Sequence, residues 1–258
     1  DLPVEIDEPT RPARIQPAQV TGHVRFDDVS FTYPGADDPA LAGIDLDVPA
    51  GSTLALVGET GSGKTTLGSL VARLYDPASG TVSIDGVDLR DMALADLAAI
   101  VGVVSQETYL LHTTVRENLR YAKPAATDAE IEDAARAAQI HDLIASLPDG
   151  YDTMVGSRGH RFSGGEKQRI AIARTLLRDP RVLVLDEATS SLDTETERAV
   201  QQAFDTLACG RTTITIAHRL STVRNADQIV VLDHGRIIET GDHTSLLAVQ
   251  GRYAELAA

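Results

Sequence analysis

A lysine framed by glycines and threonines, followed far along the chain by two adjacent carboxylates, is the combination here that could act on a phosphate chain. Gly58-Glu59-Thr60-Gly61-Ser62-Gly63-Lys64-Thr65 fits GxxxxGK[ST]. Glycines permit the tight curvature that aims successive N–H groups at phosphate oxygens, and a helix following the loop adds its positive end. Lys64 is expected to reach the β- and γ-phosphates of a nucleoside triphosphate, Thr65 to ligate Mg²⁺ and Thr66 to touch the α-phosphate. At ordinary residue frequencies, with Gly near ~7%, a chance match in a chain this long is on the order of one in a hundred. An ordinary glycine-rich turn is the alternative. The second element is Arg181-Val182-Leu183-Val184-Leu185-Asp186-Glu187, a buried strand that ends in two acids. Asp186 suits Mg²⁺, and Glu187, pointing elsewhere, suits accepting a proton from an attacking water. An apolar run ending in Asp-Glu says little alone; placed after a phosphate loop it says much more.

These groups need a scaffold. Thr53 to Val57 is a continuous apolar run of the kind buried in a parallel sheet, and it leads straight into the glycines. Val182 to Leu185, Thr213 to Ala217 and Ile229 to Leu232 read the same way. Before them, His23 to Phe26, Val29 to Tyr33 and Ile44 to Val48 alternate, with a turn at Pro34-Gly35, and predict a small antiparallel sheet. Thr81 to Ile84 ends in the turn signal Asp85-Gly86. From Asp128 to Leu147 the spacing of Ile131, Ala134, Ala135, Ala138 and Ile140 predicts helix. The expected fold is α/β: a phosphate-loop core with a parallel sheet, an N-terminal antiparallel subdomain and an inserted helical subdomain. Residues 1–21, rich in Pro and charge, read as a linker or extended lead-in.

Composition removes several function classes. The 258 residues are 43% hydrophobic, enough for a substantial core. The net charge of −15 opposes a phosphate-tracking nucleic-acid surface and adsorption to an anionic membrane. No stretch approaches the ~18–20 apolar residues that span a bilayer. The single cysteine, Cys209, permits no internal disulfide, as expected for a reducing compartment. A start at Asp1 without Met suggests an excised or processed domain.

Between loop and acidic pair stands Phe162-Ser163-Gly164-Gly165-Glu166-Lys167-Gln168-Arg169, which resembles the LSGGQ signature of ABC ATPases. Gln106 sits at the place of the Q-loop glutamine, Ser191-Leu192-Asp193 resembles the D-loop, and Ile216-Ala217-His218-Arg219 resembles the H-loop. Tyr33, before Pro34-Gly35, matches the aromatic that stacks on adenine. The likeness runs over roughly residues 22 to 250 in the family's order. It implies ATP and Mg²⁺ as ligands, with Tyr33, Gly58, Gly61, Ser62, Gly63, Lys64, Thr65, Thr66, Ser163, Gly164, Gly165 and Asp193 at the nucleotide. It assigns Glu187, His218 and Gln106 to catalysis, and Thr65, Gln106 and Asp186 to the metal. Taken singly, His218 also fits a core histidine, Gln106 a loop polar residue, Tyr33 a packed strand edge and Ser163 a plain helix cap. For Tyr33 the ring is expected to matter and the hydroxyl not, so Tyr33→Phe should be nearly silent.

The resemblance is to the exporter type, on Thr113-Thr114-Val115-Arg116-Glu117-Asn118-Leu119, the segment Val155 to Gly159 and Ser221-Thr222. It implies a transmembrane domain before residue 1, a second ATPase domain in a head-to-tail homo- or heterodimer, and a place on the cytoplasmic face of a membrane, such as a bacterial inner membrane. The ATPase domain is expected over 22–258, with helical contact to the membrane part over about 107–165 and a hinge at Gln106. Phe162, Glu166 and Ser157 depart from the family's usual Leu, Gln and Glu, which bears on coupling to the membrane part. A stand-alone importer ATPase is the alternative. A DNA-clamping repair ATPase would place a long coiled coil between loop and signature, but Lys64 and Ser163 are only about a hundred residues apart. A non-catalytic nucleotide sensor would be expected to have lost Glu187 or His218.

Overall fold

A computed structural model describes residues 6–105, 108–156, 161–186, 194–217 and 220–257. The chain forms two compact units. The first takes residues 1–103, 181–187 and 210–258, and the second takes 104–180 and 188–209.

The first unit begins with an antiparallel sheet of β1 (Val24–Phe31), β2 (Leu41–Val48), and, beyond the strand β3 (Thr53–Val57) and the helix α1 (Lys64–Val71), β4 (Ser79–Ile84) and β5 (Val87–Asp88). Its order is β2-β1-β4-β5. The sequence pattern suggested two pieces around Asp27-Asp28; the structure has one strand. Asp28 adopts φ 45° and the register shifts between Phe26 and Val29. That bulge absorbs one residue, so Phe26 and Val29, an odd number apart, both face the core.

The larger sheet adds β6 (Val101–Val104), reached after the helix α2 (Leu94–Ile100), then β7 (Val182–Asp186), β8 (Thr212–Ile216), β9 (Gln228–Asp233) and β10 (Arg236–Gly241). The order is β10-β9-β3-β8-β7-β6. β3 lies parallel to both β8 and β9, β7 runs parallel to β8, and β10 closes one edge antiparallel to β9. Continuous apolar runs are what a strand covered on both faces requires, and the two faces can be traced residue by residue. Leu54 and Leu56 of β3 with Val230 and Leu232 of β9 join the core shared with the antiparallel sheet and α1. Ala55 and Val57 with Ile229 and Val231 face the other way, onto Val223, Leu246 and Tyr253 of the C-terminal segment.

The lead-in lies against this unit from Asp7 onward. Asp7 O accepts from the Arg73 guanidinium at 3.0 Å, Ala13 N–H donates to Asp91 O at 2.8 Å, and Ile15 packs on the core. Its end is held by one carboxylate: Asp85 accepts from Thr21 N–H (2.6 Å), Thr21 Oγ1 (2.7 Å), Gly22 N–H (3.1 Å) and His23 N–H (2.8 Å). Burial pushes the Asp85 carboxyl up, but these hydrogen bonds outweigh it and hold it below its ordinary value. A depressed carboxylate contributes stability that is complete above its unfolded value, near ~4, and is lost as pH falls through the folded value. Asp85→Asn is therefore expected to lower stability by about 1 kcal/mol at pH 7. Denaturation along a pH series should show the gap to wild type closing below about pH 4; a gap independent of pH would mean the charge contributes nothing.

The second unit is helical: α3 (Val115–Arg120), α4 (Asp128–Ala137), α5 (His141–Ser146), α6 (Gly164–Arg178) and α7 (Thr194–Ala208). It reaches beyond the expected 107–165 because α6 packs on both α4 and α7. The single helix expected over 128–147 is two. Gln139 takes φ 56°, its N–H bonds Arg136 O, and Ile140 N–H reaches back to Ala135 O at 2.9 Å. This is a left-handed C-terminal cap with Gln where Gly is usual. It turns Ile140, out of helical phase with Ala138, into the interior, where both are fully buried. The chain then returns to the first unit, which it completes with α8 (Leu220–Arg224), α9 (His243–Val249) and α10 (Arg252–Ala257). Among the described residues no helix is long and apolar enough to cross a membrane.

Candidate functional site

The glycine-rich loop joins the buried end of β3 to α1. At Gly58, φ 149°, an added Cβ would stand 2.2 Å from Leu232 O; at Gly63, φ 107°, it would stand 2.8 Å from a Leu41 methyl and 2.9 Å from Ala40 O. Glycine is required at both by conformation and by closeness. Gly235 N–H, in the β9–β10 turn, fixes the loop by donating to Ser62 O at 3.1 Å. Among the described residues no side chain caps α1, whose N-cap is Gly63, and the first bond back to that cap comes from Leu67 N–H. The amides opening the helix thus face the loop, as an anion site requires.

Lys64 is 7% exposed. Its Nζ donates to Gly58 O at 2.8 Å, Glu59 O at 2.7 Å and Ser62 Oγ at 3.3 Å. Burial pulls the ammonium below the ordinary lysine value, while the charge of Asp186, at the end of β7, pulls the other way. The charge of Asp186 thus acts at Lys64, the two residues that the sequence assigns to the phosphate chain and its metal. Thr65 is exposed at the start of α1, and Ser62 and Thr66 are buried. Hydroxyl and carboxylate are a donor set that Mg²⁺ accepts, completing its shell with waters and substrate phosphates. Among the described residues no cluster of three or more His, Cys, Asp or Glu could hold a metal unaided.

Tyr33 is half-buried and belongs to an aromatic trio. Its ring centroid lies 4.9 Å from Phe31 and 5.3 Å from Tyr75, nearly perpendicular to each. Its hydroxyl is 3.1 Å from Thr66 Oγ1. The sequence pointed to the ring alone; the structure gives the hydroxyl a partner on α1, so Tyr33→Phe removes a contact. Tyr75 carried no sequence signal of its own.

In the second unit Ser163 caps α6. Glu166 N–H donates to Ser163 Oγ at 3.4 Å, and Ser163 N–H donates to Glu166 Oε2 at 2.6 Å. Glu and Gln both close such a box, which gives a local reason for the first departure. Phe162, the second, is 5% exposed and fills an apolar position. At Gly164 an added Cβ would meet nothing within 4 Å among the described residues, while Gly165 is buried. Gln106, Ser157, Glu187, Ser191, Leu192, Asp193 and His218 lie outside the described residues.

Sequence reasoning missed what steadies this unit. Asn118 is fully buried: its Nδ2 donates to Leu111 O (3.0 Å) and Thr114 O (2.9 Å), and its Oδ1 accepts from Leu111 N–H (2.8 Å) and Arg174. Arg174, on α6, also donates to Asn118 O at 2.8 Å and Tyr109 O at 3.0 Å, and burial holds its guanidinium below the usual arginine value. The only sequence hint was the Thr-Thr-Val-Arg-Glu-Asn run, noted for its likeness and not for this amide.

A family profile described as ABC transporter matches residues 41–190. The ATP-dependent lipid A-core flippase of Thiobacillus denitrificans is 52% identical, over 100% of this chain and 44% of its own length. ABC transporter aclQ of Aspergillus oryzae is 56% identical, over 92% of this chain and 29% of its own. Among solved structures, a bacterial Atm1-family ABC exporter with ATP bound superposes with a TM-score of 0.89 at 45% identity, covering 99% of this chain and 44% of that one. The chain thus spans less than half the length of these relatives.

Proposed function

Because the chain belongs to the ABC transporter family, as an ATP-binding and ATP-hydrolysing domain of exporter type, we propose that it powers transport as the motor of a larger membrane exporter. The observation that carries this is the loop after β3, where Lys64, Ser62 and the uncapped start of α1 converge. The likeness to full-length exporters more than twice its length supports a transmembrane partner and favours the exporter over a stand-alone importer subunit. The chain would then work at the cytoplasmic face of the membrane.

In this reading Lys64 exchanges its carbonyl partners for β- and γ-phosphate oxygens, and Thr66 meets the α-phosphate. Thr65 and Asp186, with Gln106, would hold Mg²⁺, which neutralises charge along the phosphate chain. Glu187 takes the proton of the attacking water, His218 steadies the γ-phosphate and Tyr33 faces the adenine. Ser163, Gly164 and Gly165 serve the nucleotide of a second domain across a head-to-tail dimer, where Asp193 also contributes. The open space that the described residues leave over Gly164 suits this: a glycine that their packing does not require leaves a surface that a phosphate can approach closely. Closure on ATP and release after hydrolysis would supply the alternation that a membrane domain reads.

A mixing experiment tests the shared site. Lys64→Ala and Ser163→Arg damage opposite halves, so each alone forms symmetric dimers with both sites broken. Mixed, they form a heterodimer with one site intact, and two nearly inactive proteins should regain ATPase that rises with total concentration. A mixture no more active than the sum of its parts, beside a wild type that shows concentration-dependent activity, would place the whole site within one chain.

A further inference from the structure

We propose that Tyr33 is a positioning residue for the phosphate loop, acting through Thr66, in addition to any contact with a base; this rests on reading residues 58–65 as the phosphate site. The tyrosine ring is oriented from two sides, by Phe31 and Tyr75 at near-perpendicular angles. Its orientation is therefore set by protein, and the hydroxyl is brought to a fixed place, 3.1 Å from Thr66 Oγ1. Thr66, 6% exposed, is confined by its branched Cβ to few rotamers on α1. The usual helical partner of such a hydroxyl is the carbonyl four residues back, but among the described residues Thr66 Oγ1 pairs with Tyr33 and not with Ser62 O.

A threonine hydroxyl has one hydrogen and two acceptor positions. The contact admits either hydroxyl as donor; in this proposal Tyr33 donates, which leaves the threonine hydrogen for an acceptor beyond the protein, and donation into its oxygen strengthens what it donates. A phosphate oxygen at the start of α1 is the acceptor the loop is shaped for. The aromatic on the antiparallel sheet thereby sets the donor direction of a side chain on the phosphate helix. Tyr33 acts on the phosphate chain without touching it.

The test uses a ligand with no base. Inorganic tripolyphosphate, competed against a fluorescent ATP analogue on the full chain, reports the phosphate loop alone. Tyr33→Phe, which keeps the ring, should weaken tripolyphosphate binding about 3- to 10-fold, the size of one neutral hydrogen bond. Thr66→Val should do the same, and Tyr33→Phe should add nothing in the Thr66→Val background. Thr66→Ser, which keeps the hydroxyl, should stay within about twofold of wild type, a rescue that packing of the threonine methyl would not give. Tripolyphosphate binding unchanged or tightened by Tyr33→Phe overturns the proposal, as does a Thr66→Ser variant as weak as Thr66→Val. Wild type that binds ATP but not tripolyphosphate overturns it too, and wild type that binds neither overturns the reading of the site as well.

Discussion

Glu187→Gln is expected to lower ATP turnover by about 10²- to 10⁴-fold while leaving nucleotide affinity within a few-fold of wild type. The argument starts from β7, which is paired along its length with β8 and ends at Asp186, whose charge acts on Lys64. Glu187 follows Asp186 directly in the sequence, and the role proposed for it is that of base. Glutamine keeps the shape and one hydrogen-bond acceptor but cannot carry away a proton. Binding measured by competition, beside phosphate release in a single turnover, separates the two properties. Turnover within a few-fold of wild type would remove Glu187 from the role of base.

The largest effect on stability is expected from Asn118→Ala, at about 2–3 kcal/mol. The amide satisfies both backbone groups of Leu111 and the carbonyl of Thr114, and accepts from Arg174. Truncation strands Leu111 N–H and one Arg174 N–H, while Leu111 O keeps Thr113 N–H and Thr114 O keeps the backbone N–H of residue 118, so the loss exceeds that of one hydrogen bond. It should appear as a lowered urea midpoint with earlier loss of the helical unit. A change below about 1 kcal/mol would show that water takes over the network.

The difference between legible and hidden features follows from how local their physics is. β3 and β7 could be read because a strand covered on both faces must be apolar throughout, and the phosphate loop because its curvature demands glycine at positions such as Gly58 and Gly63. β10 escaped because half its residues are exposed and none is fully covered. The break at Gln139 escaped because a residue that ordinarily continues helices occupies the left-handed position, held there by Ile140 turning inward. The Asn118–Arg174 pairing lies 56 residues apart in sequence, and Tyr33 and Thr66 lie 33 apart; at such separations no spacing rule applies. Phe162 and Glu166 were visible only as departures, and acquired reasons once one was seen filling an apolar position and the other closing a cap.

The position of β3 in its sheet has a consequence for how the chain is made. Thr53 pairs with Thr213, and Leu54 pairs with Gln228. The strands on either side of β3 are therefore synthesised about 160 and 175 residues after it, a delay of roughly eight to thirty-five seconds at ~5–20 residues per second. Throughout that interval Thr53 to Val57 is an apolar ribbon with two unpaired edges, which is the form of nascent chain that aggregates or engages chaperones. A ribosome that stalls before about residue 210 releases a product with the complete glycine-rich motif and neither strand to brace it.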